Sequence, residues 1–440
     1  MNITILARPS AGSGTISTIP CAARSRIASP IDCRVIPARC AMSTARAPSG
    51  GSVAKTGLCR GCSSVKPREC AVVTMSSRRA RADFSASAIS GKKFGRSRPL
   101  DICKAAFQYL TGNLTLSGAV MNRTPILEAV APLFARTGRS TRVAIEQELF
   151  AMDVFGGASV APKRVLEAVA GRDYARWVTF EPGGQVELSL PPAETPAAAA
   201  AQLARVTDAL ADDLMAHGIA ICARPVRGQD PNTPRHLLSP RYDAMERHLD
   251  SIGAAGRRMM RSTASTQVCL DWWAGREGLE QWRVLNLAGP FLAAATAKAT
   301  GPQSRLATWL EVDPSRTAFD DRLLHGRDPV AAYADFAAGA RVFVDGGVAD
   351  HLTTLFPPVR PRGSYLEVRF PDARPAAQVE ALVEGFAGLL YDDERRRSAL
   401  AVLAGEQDRL AEHWAAAAVG TLDLELGAWL LGGDRRAVAA

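Results

Sequence analysis

Four short segments of the chain alternate apolar with polar side chains, and their polar positions include carboxylates. In residues 142–149 the odd positions from Val143 onward are mostly apolar, whereas Glu146 and Glu148 occupy even positions. Successive side chains of a strand point to opposite faces, so both glutamates lie on the face away from the apolar residues. The pattern recurs in 185–190, 267–271 and 365–370, with the polar residues Gln185, Glu187, Ser189, Gln267, Asp271, Glu367 and Arg369. These segments predict a sheet with one apolar and one polar face.

The remaining periodicity predicts an α+β fold. Apolar residues at helical spacing predict helices over 124–136, 197–216, 240–258, 279–299, 328–340 and 376–413. Further strands are predicted near 219–224, 262–272, 305–312 and 363–370. Helices and strands interleave without a regular βαβ repeat or a glycine-rich nucleotide loop, which favours a largely antiparallel sheet over a doubly wound one.

The polar face predicts a metal site. If the strands join one sheet, Glu146, Glu148, Glu187 and Glu367 crowd together and repel one another unless a cation neutralises them. Hard Mg²⁺ takes oxygen ligands and bridges carboxylates to nucleotide phosphates, whereas the residues after 120 hold no His pair or Cys cluster suited to zinc. We therefore expect phosphoryl chemistry with ATP as donor. For any single strand, a polar face that simply meets water remains the alternative interpretation.

The excess of positive charge lies in roughly the first quarter of the chain. The formal net charge is +9, but residues 1–120 hold 18 Lys and Arg against four acids, whereas residues 121–440 hold 35 against 40. Seven of the nine cysteines also lie before residue 121. The basic charge therefore predicts neither nucleic acid nor a membrane as a partner of residues 121–440. Two cysteines in that segment are typical of a reducing, cytoplasmic compartment.

Residues 1–120 are expected to form a disordered basic leader, since they show no sustained period of 2 or 3.6 apart from a short helical pattern at 102–111. A targeting peptide, half a zinc site at Cys59 and Cys62, and a start codon placed too early, with initiation near Met121, are the alternatives. Residues 121–440 are expected to form one catalytic domain. The chain is 47% hydrophobic without an apolar run near twenty residues, so no transmembrane helix is predicted.

Longer strings of residues resemble a known enzyme family. Thr179-Phe-Glu-Pro-Gly-Gly-Gln-Val-Glu-Leu-Ser189 is similar, almost letter for letter, to the diagnostic string of glutamate-cysteine ligases of the plant and bacterial GCS2 type. The chain most resembles the actinobacterial members of the ergothioneine pathway. The supporting strings follow in family order: Ile145-Glu-Gln-Glu-Leu149, Arg241-Tyr-x-x-Met245, Gly256-Arg-Arg-Met-Met260, Ser262-Thr-x-x-x-Gln267, Ser304-Arg-x-x-x-Trp309, Asp313-x-x-Arg316, His351 to Arg362, and Tyr365-Leu-Glu-Val-Arg369. The resemblance covers roughly residues 140–420.

The resemblance implies a glutamine-synthetase-like fold, in which a curved antiparallel sheet forms a funnel with helices on its convex side. It also implies that ATP phosphorylates the γ-carboxyl of L-glutamate and that the amine of L-cysteine then displaces phosphate. The partners would be these small molecules, not nucleic acid or a membrane; the oligomeric state is left open.

The resemblance also implies roles for individual residues. Mg²⁺ would be held by Glu146, Glu148, Glu181, Glu187 and Glu367. Glu148 and Arg369 would be catalytic, with Arg369 holding the γ-phosphate or the glutamate carboxylate. Substrate and ATP contacts are expected from Arg241, Gln267, Arg305, Trp309, Arg316 and Arg369. The position of Glu181 relative to Glu187 is not set by alternation, because Pro182-Gly183-Gly184 bends the chain between them.

Two departures from the plant-type pattern are Ala144 in place of a glycine and Cys269 in place of an asparagine, and neither removes an implied ligand. Two alternatives remain: another ATP-dependent carboxylate-amine ligase on the same fold, and an inert binding relative.

Overall fold

A seven-stranded antiparallel sheet organises the part of the chain that the structure describes, residues 121–135, 138–228 and 233–433 of a computed structural model. The strand order is β2-β3-β1-β5-β7-β6, and β4 pairs with the second half of β1. The strands are β1 (Val143–Asp153), β2 (Val178–Phe180), β3 (Val186–Ser189), β4 (Ile219–Cys222), β5 (Thr266–Asp271), β6 (Val359–Pro361) and β7 (Tyr365–Val368). The predicted α+β fold with an antiparallel sheet is confirmed.

The strand register gathers the polar positions on one face. Glu148 lies opposite Glu187, and Glu146 lies opposite both Ser189 and Gln267. Directly opposed residues in an antiparallel pair project from the same side of the sheet. The same face continues across β5 and β7, where Cys269 opposes Glu367.

The opposite face is apolar and packs on helices. The helices of the described residues are α1 (Arg123–Val130), α2 (Pro162–Ala168), α3 (Pro196–Met215), α4 (Pro240–Asp250), α5 (Ala255–Ser262), α6 (Gly275–Thr296), α7 (Arg305–Leu310), α8 (Pro314–Thr317), α9 (Pro329–Gly339), α10 (Gly347–Leu352), α11 (Glu380–Tyr391), α12 (Asp393–Val402), α13 (Leu410–Val419) and α14 (Leu424–Leu430). Helices α3 and α11 contact each other and the sheet, and they share one core with its buried apolar residues, such as Ile145, Leu188 and Val268.

Helix α3 shows how local sequence sets these elements. Thr195 caps its first turn by accepting a hydrogen bond from Ala198 N, and Pro196 occupies its first position. Its apolar stripe, which includes Leu203 and Leu210, is buried. No helix of the described residues combines the length and apolar character needed to cross a bilayer.

Three predicted elements were wrong in type or extent. The strand predicted near 305–312 is helix α7, because Ser304 caps it by accepting from Ala307 N and so commits the chain to a helical turn. The helix predicted over 240–258 divides into α4 and α5. The long helix predicted over 376–413 divides into three, since Asp392 ends α11 and caps α12. The helix predicted at 102–111 and the basic leader lie outside the described residues.

Candidate active site

A cavity of about 380 Å³ lies between the polar face of the sheet and a wall formed by α4, α5, α7 and the segment 353–356. Its floor carries Glu146, Glu148, Glu187 and Gln267. The wall is mostly apolar and includes Tyr242, Met245, Met259, Met260, Trp309 and Phe356, with Arg241 and Thr353 as polar members. The cavity therefore joins a strongly charged surface to a soft, apolar one.

Three glutamates converge at one end of this floor. Oxygen atoms of Glu148, Glu181 and Glu187 lie within 4.8 Å of one another. Neighbouring donors orient them: Thr179 Oγ1 donates to Glu187 Oε1 at 2.8 Å, and Ser265 N donates to Glu148 Oε2 at 2.8 Å. With Glu146, these three residues form what we call the carboxylate cluster.

A tight turn brings Glu181 into this group. Glu181 N donates to Gln185 O at 2.9 Å, and Gly184 N donates to Glu181 O at 2.8 Å. Gly183 packs so closely on α5 that a Cβ there would lie 2.4 Å from Arg261 O. Gly184 has a φ of 81°, a conformation that side chains rarely adopt. The two glycines thus let the chain fold back and aim Glu181 at Glu187.

The carboxylate cluster lacks enough positive charge to neutralise it. Burial, reinforced by the charges of Glu367 and Glu187, raises the pKa of Glu146 to about 7. Burial is also the main cause of the raised pKa of Glu148 and of the strongly raised pKa of Glu181, and Glu187 adds to both. Ionised carboxylates held this close in a buried site call for a cation.

Arginines occupy the other end of the floor. Arg360 grips Glu367 through Nε at 3.0 Å and Nη2 at 2.7 Å, and Arg369 also bonds this carboxylate. Burial by itself raises the pKa of Glu367, but Arg369 and Arg360 outweigh it and leave the pKa lowered. Glu367 is therefore neutralised by arginines in this structure, and its oxygens lie outside the group formed by Glu148, Glu181 and Glu187.

The sequence strings contained two further arginines to which no role was given. Arg360 and Arg362 line the cavity from the edge strand β6 and the residue after it. Arg360 and Arg362 lie on either side of Pro361, and such alternation is typical of one face of a strand. Strand β6 has three residues and contains a proline, so it is too short for periodicity to reveal it.

Four of the predicted substrate contacts line the cavity: Arg241, Gln267, Trp309 and Arg369. Arg241 Nη2 donates to Thr353 O at 3.1 Å. Gln267 Nε2 donates to Glu148 Oε1 at 3.1 Å. Gln267 Oε1 and Trp309 Nε1 are buried without a hydrogen-bond partner among the described residues.

The structure does not bring Arg305 and Arg316 into the cavity lining. Arg316 is fully buried and donates to Asp313 Oδ2 at 3.0 Å and to Thr354 Oγ1 at 2.7 Å. Arg305 is buried behind Arg369 and donates to backbone carbonyls. Neither arginine lines this cavity, and the neighbouring pocket that Arg305 borders has a volume of about 10 Å³.

The donor set fits a hard divalent cation. The converging ligand atoms of Glu148, Glu181 and Glu187 are all carboxylate oxygens, and within the described ranges this is the group whose spacing suits a metal. Mg²⁺ prefers such oxygens, whereas zinc favours His and Cys. The raised pKa values of Glu148 and Glu181 show that the site gains from a nearby positive charge.

Comparisons with known proteins show the family to which the chain is similar. Residues 142–429 match the family model "Glutamate-cysteine ligase family 2". A protein named glutamate–cysteine ligase EgtA from Mycolicibacterium smegmatis is 34% identical over 266 residues, which cover 50% of this chain and 62% of the relative. A chloroplastic glutamate–cysteine ligase from Arabidopsis thaliana is 28% identical over 51% of this chain and 50% of its own length.

Among solved structures, a bifunctional glutathione synthetase from Pasteurella multocida aligns over 72% of this chain and 48% of the synthetase chain, at 13% identity and a TM-score of 0.38. The chain thus spans about three-fifths or less of these relatives. The family resemblance carried by the sequence strings is confirmed.

Proposed function

The chain belongs to glutamate-cysteine ligase family 2, and on that premise we propose that it joins the γ-carboxyl of L-glutamate to the amine of L-cysteine at the expense of ATP. The products are γ-glutamylcysteine, ADP and phosphate. The observation that carries the proposal is the division of one cavity floor into a carboxylate end and an arginine end. A phosphate-transferring ligase needs both: a place for cations and a place for anions.

The reaction needs two displacements. A carboxylate is a poor electrophile, so an oxygen of the glutamate γ-carboxylate attacks the γ-phosphorus of ATP and ADP leaves. The cysteine amine then attacks the acyl carbon of the γ-glutamyl phosphate, phosphate departs, and the amine loses a proton. Mg²⁺, when bound, supplies positive charge that neutralises the phosphate oxygens.

Glu148, Glu181 and Glu187 are the proposed ligands for that cation, with Glu146 and Glu367 beside them. Their oxygen donors and unneutralised charge support this role. Glu367 could bind the cation only after the arginines release one of its carboxylate oxygens, because Arg360 donates hydrogen bonds to both oxygens. Glu148 combines this role with a hydrogen bond from Gln267, which fixes its orientation.

The arginine end is proposed to hold anions. Arg369 and Arg360 present guanidinium groups toward the cavity, and such groups match phosphate and carboxylate in planar, paired hydrogen bonds. Arg369 would hold the γ-phosphate as it transfers. Arg241 stands on the opposite wall, where it would meet the α-carboxylate of an amino acid substrate.

We propose that the side chain of the amine substrate binds against the apolar wall of the cavity. Met245, Met259 and Phe356 offer sulfur and aromatic surface, which a thiol contacts favourably. The name of the Mycolicibacterium relative supports a place in ergothioneine synthesis for the product. We propose the cytoplasm as the compartment, because residues 121–440 hold two cysteines, and such sparse cysteine usage is typical of a reducing environment.

The test is to incubate the full chain with ATP, Mg²⁺, L-glutamate and one amine at a time, measuring ADP and the ligated product. We expect both to form with L-cysteine. ADP release with other amines but not with cysteine would instead identify another carboxylate-amine ligase. Failure to release ADP with any amine, by a folded protein that binds nucleotide, would favour an inert relative.

A further inference from the structure

We infer that Arg305 is a positioning residue that holds Arg369 in the cavity from behind. The inference rests on the proposed function, since it assigns Arg369 to the γ-phosphate. Arg305 begins α7, is 5% exposed and does not line the main cavity; the neighbouring pocket that it borders has a volume of about 10 Å³, which is too small for a substrate. Its effect on a ligand must therefore pass through the residues that it contacts.

Arg305 grips the backbone at the point where β7 ends. Its Nη2 donates to Arg369 O at 2.9 Å, and its Nη1 donates to Phe370 O at 3.0 Å. From the other side, Arg369 N donates to Pro358 O at 2.9 Å. The peptide groups on both sides of the Arg369 Cα are thus fixed, which limits where its guanidinium can point.

The cost of burying Arg305 indicates that this grip matters. No carboxylate of the described residues lies within ion-pair distance of its guanidinium, although Glu148 and Asp372 act on it through longer-range attraction. Its Nε is buried without a hydrogen-bond partner in the described part of the chain, and the centre of the Trp309 ring lies 5.4 Å from Arg305 Cζ. A buried cation without a close counter-ion is expensive, so its two carbonyl contacts are its main local compensation.

Arg374 provides a matched control. It is 6% exposed and likewise donates to backbone carbonyls, Thr296 O at 2.7 Å and Asp372 O at 3.2 Å. It does not line the cavity, and neither carbonyl belongs to a residue that does. Loss of Arg374 should therefore reproduce the general cost of removing a buried arginine without moving Arg369.

The experiment measures how the full chain, with Mg²⁺, binds a non-hydrolysable ATP analogue and ADP. We compare wild type, Arg305→Gln, Arg369→Gln, the double variant and Arg374→Gln by calorimetry. Arg305→Gln should lower the affinity for the analogue relative to ADP by about tenfold, the value of one charge-assisted hydrogen bond. The double variant should match Arg369→Gln alone, and Arg374→Gln should keep the wild-type ratio.

Several results would overturn the inference: additive losses in the double variant, equal losses for ADP and the analogue, an unchanged ratio in Arg305→Gln, or the same altered ratio in Arg374→Gln. If Arg305→Gln does not fold, Arg305→Lys enters the same cycle, because it keeps the charge but cannot grip both carbonyls with a planar fork. This experiment measures nucleotide binding. If the chain failed to ligate glutamate and cysteine, the proposed function would be contradicted, but the role of Arg305 would still be decided by the binding measurements.

Discussion

Two groups of buried charged residues in this protein differ in the direction in which the fold shifts the pKa of their carboxylates. In the carboxylate cluster, burial and mutual repulsion raise the pKa values of Glu146, Glu148 and Glu181. A second buried group consists of His248, Asp313 and Arg316, which we call the His–Asp–Arg network. There, burial opposes the charge of Asp313, but hydrogen bonds from His248 and Ser315 outweigh it and lower its pKa to about 2.

The difference lies in whether the charges are matched within the protein. Asp313 Oδ2 accepts from Arg316 Nε at 3.0 Å and lies 2.8 Å from His248 Nε2, while Arg316 also holds Thr354. This network pairs its charges internally and fixes the segment 353–356 over the cavity, although Arg316 Nη2 has no hydrogen-bond partner among the described residues. The unmatched carboxylates are held together by the fold against their mutual repulsion, which supports the proposal that this cluster binds a cation.

The largest expected effect comes from removing one charge of the unmatched cluster. Glu187→Gln should lower turnover by roughly a thousandfold or more, about 4 kcal/mol in the barrier, because it removes a proposed metal ligand. Steady-state ADP release measures it, with circular dichroism to verify the fold. Glu280→Gln, which alters a carboxylate paired with Arg396, is the matched control and should stay near wild type. Near-normal turnover by Glu187→Gln would refute its metal role.

The next largest effect comes from breaking the matched network. Arg316→Met should lower the free energy of unfolding by about 3 kcal/mol, since it leaves Asp313 buried without its cation. Urea denaturation measures the change. Glu187→Gln should not show a comparable loss. Equal destabilisation by both variants would erase the distinction between the two groups.

Metal addition should separate the groups in the same way. Mg²⁺ at about a hundredfold its dissociation constant should raise the free energy of unfolding by about 2.7 kcal/mol. Thermal unfolding with and without EDTA measures the gain. Arg316→Met should retain it and Glu187→Gln should lose most of it; a full gain in Glu187→Gln would place the cation elsewhere.

The smallest expected effect is a difference in pH dependence. Glu146 has a pKa of about 7 in the folded state against an ordinary 4.5, so its contribution to the stability of the metal-free protein should be largest below pH 4.5 and fall by about 3 kcal/mol as pH rises through 7. Asp313 has the opposite sign: its contribution is present above its ordinary pKa of 3.8 and is lost as pH falls through 2.

Glu146→Gln should therefore reduce the decline between pH 4.5 and 7 and leave the acid-side loss unchanged. Urea midpoints across pH in EDTA test this. An unchanged decline toward neutral pH in Glu146→Gln would show that its burial does not govern the titration.

Sequence reasoning succeeded where a short-range rule applies. The pleat of a strand gives side chains a period of two, so the polar faces of Glu146, Glu148 and Glu187 could be predicted without knowing the strand order. Helix α3 was predicted almost to its ends for a similar reason, because capping and the helical period are local. Arg360 and Arg362 escaped notice because their strand is too short to show a period.

Arg305 shows where local rules end. Its segment was predicted as a strand, but in the structure Arg305 is the first residue of helix α7. A substrate contact was also expected for Arg305, whereas its guanidinium donates to backbone carbonyls 64 and 65 residues away in the sequence. Glu181 is similar, since the glycine turn that aims it depends on how closely α5 can approach.

By itself the sequence determined the face on which each strand carries its carboxylates, and the residue strings placed the chain in its family. Only the tertiary structure decided which carboxylates converge, which arginines neutralise Glu367, and that Arg316 belongs to a closed network. The physical reason is that the pleat acts between neighbours in the chain, whereas neutralisation depends on distances between strands and helices far apart in sequence.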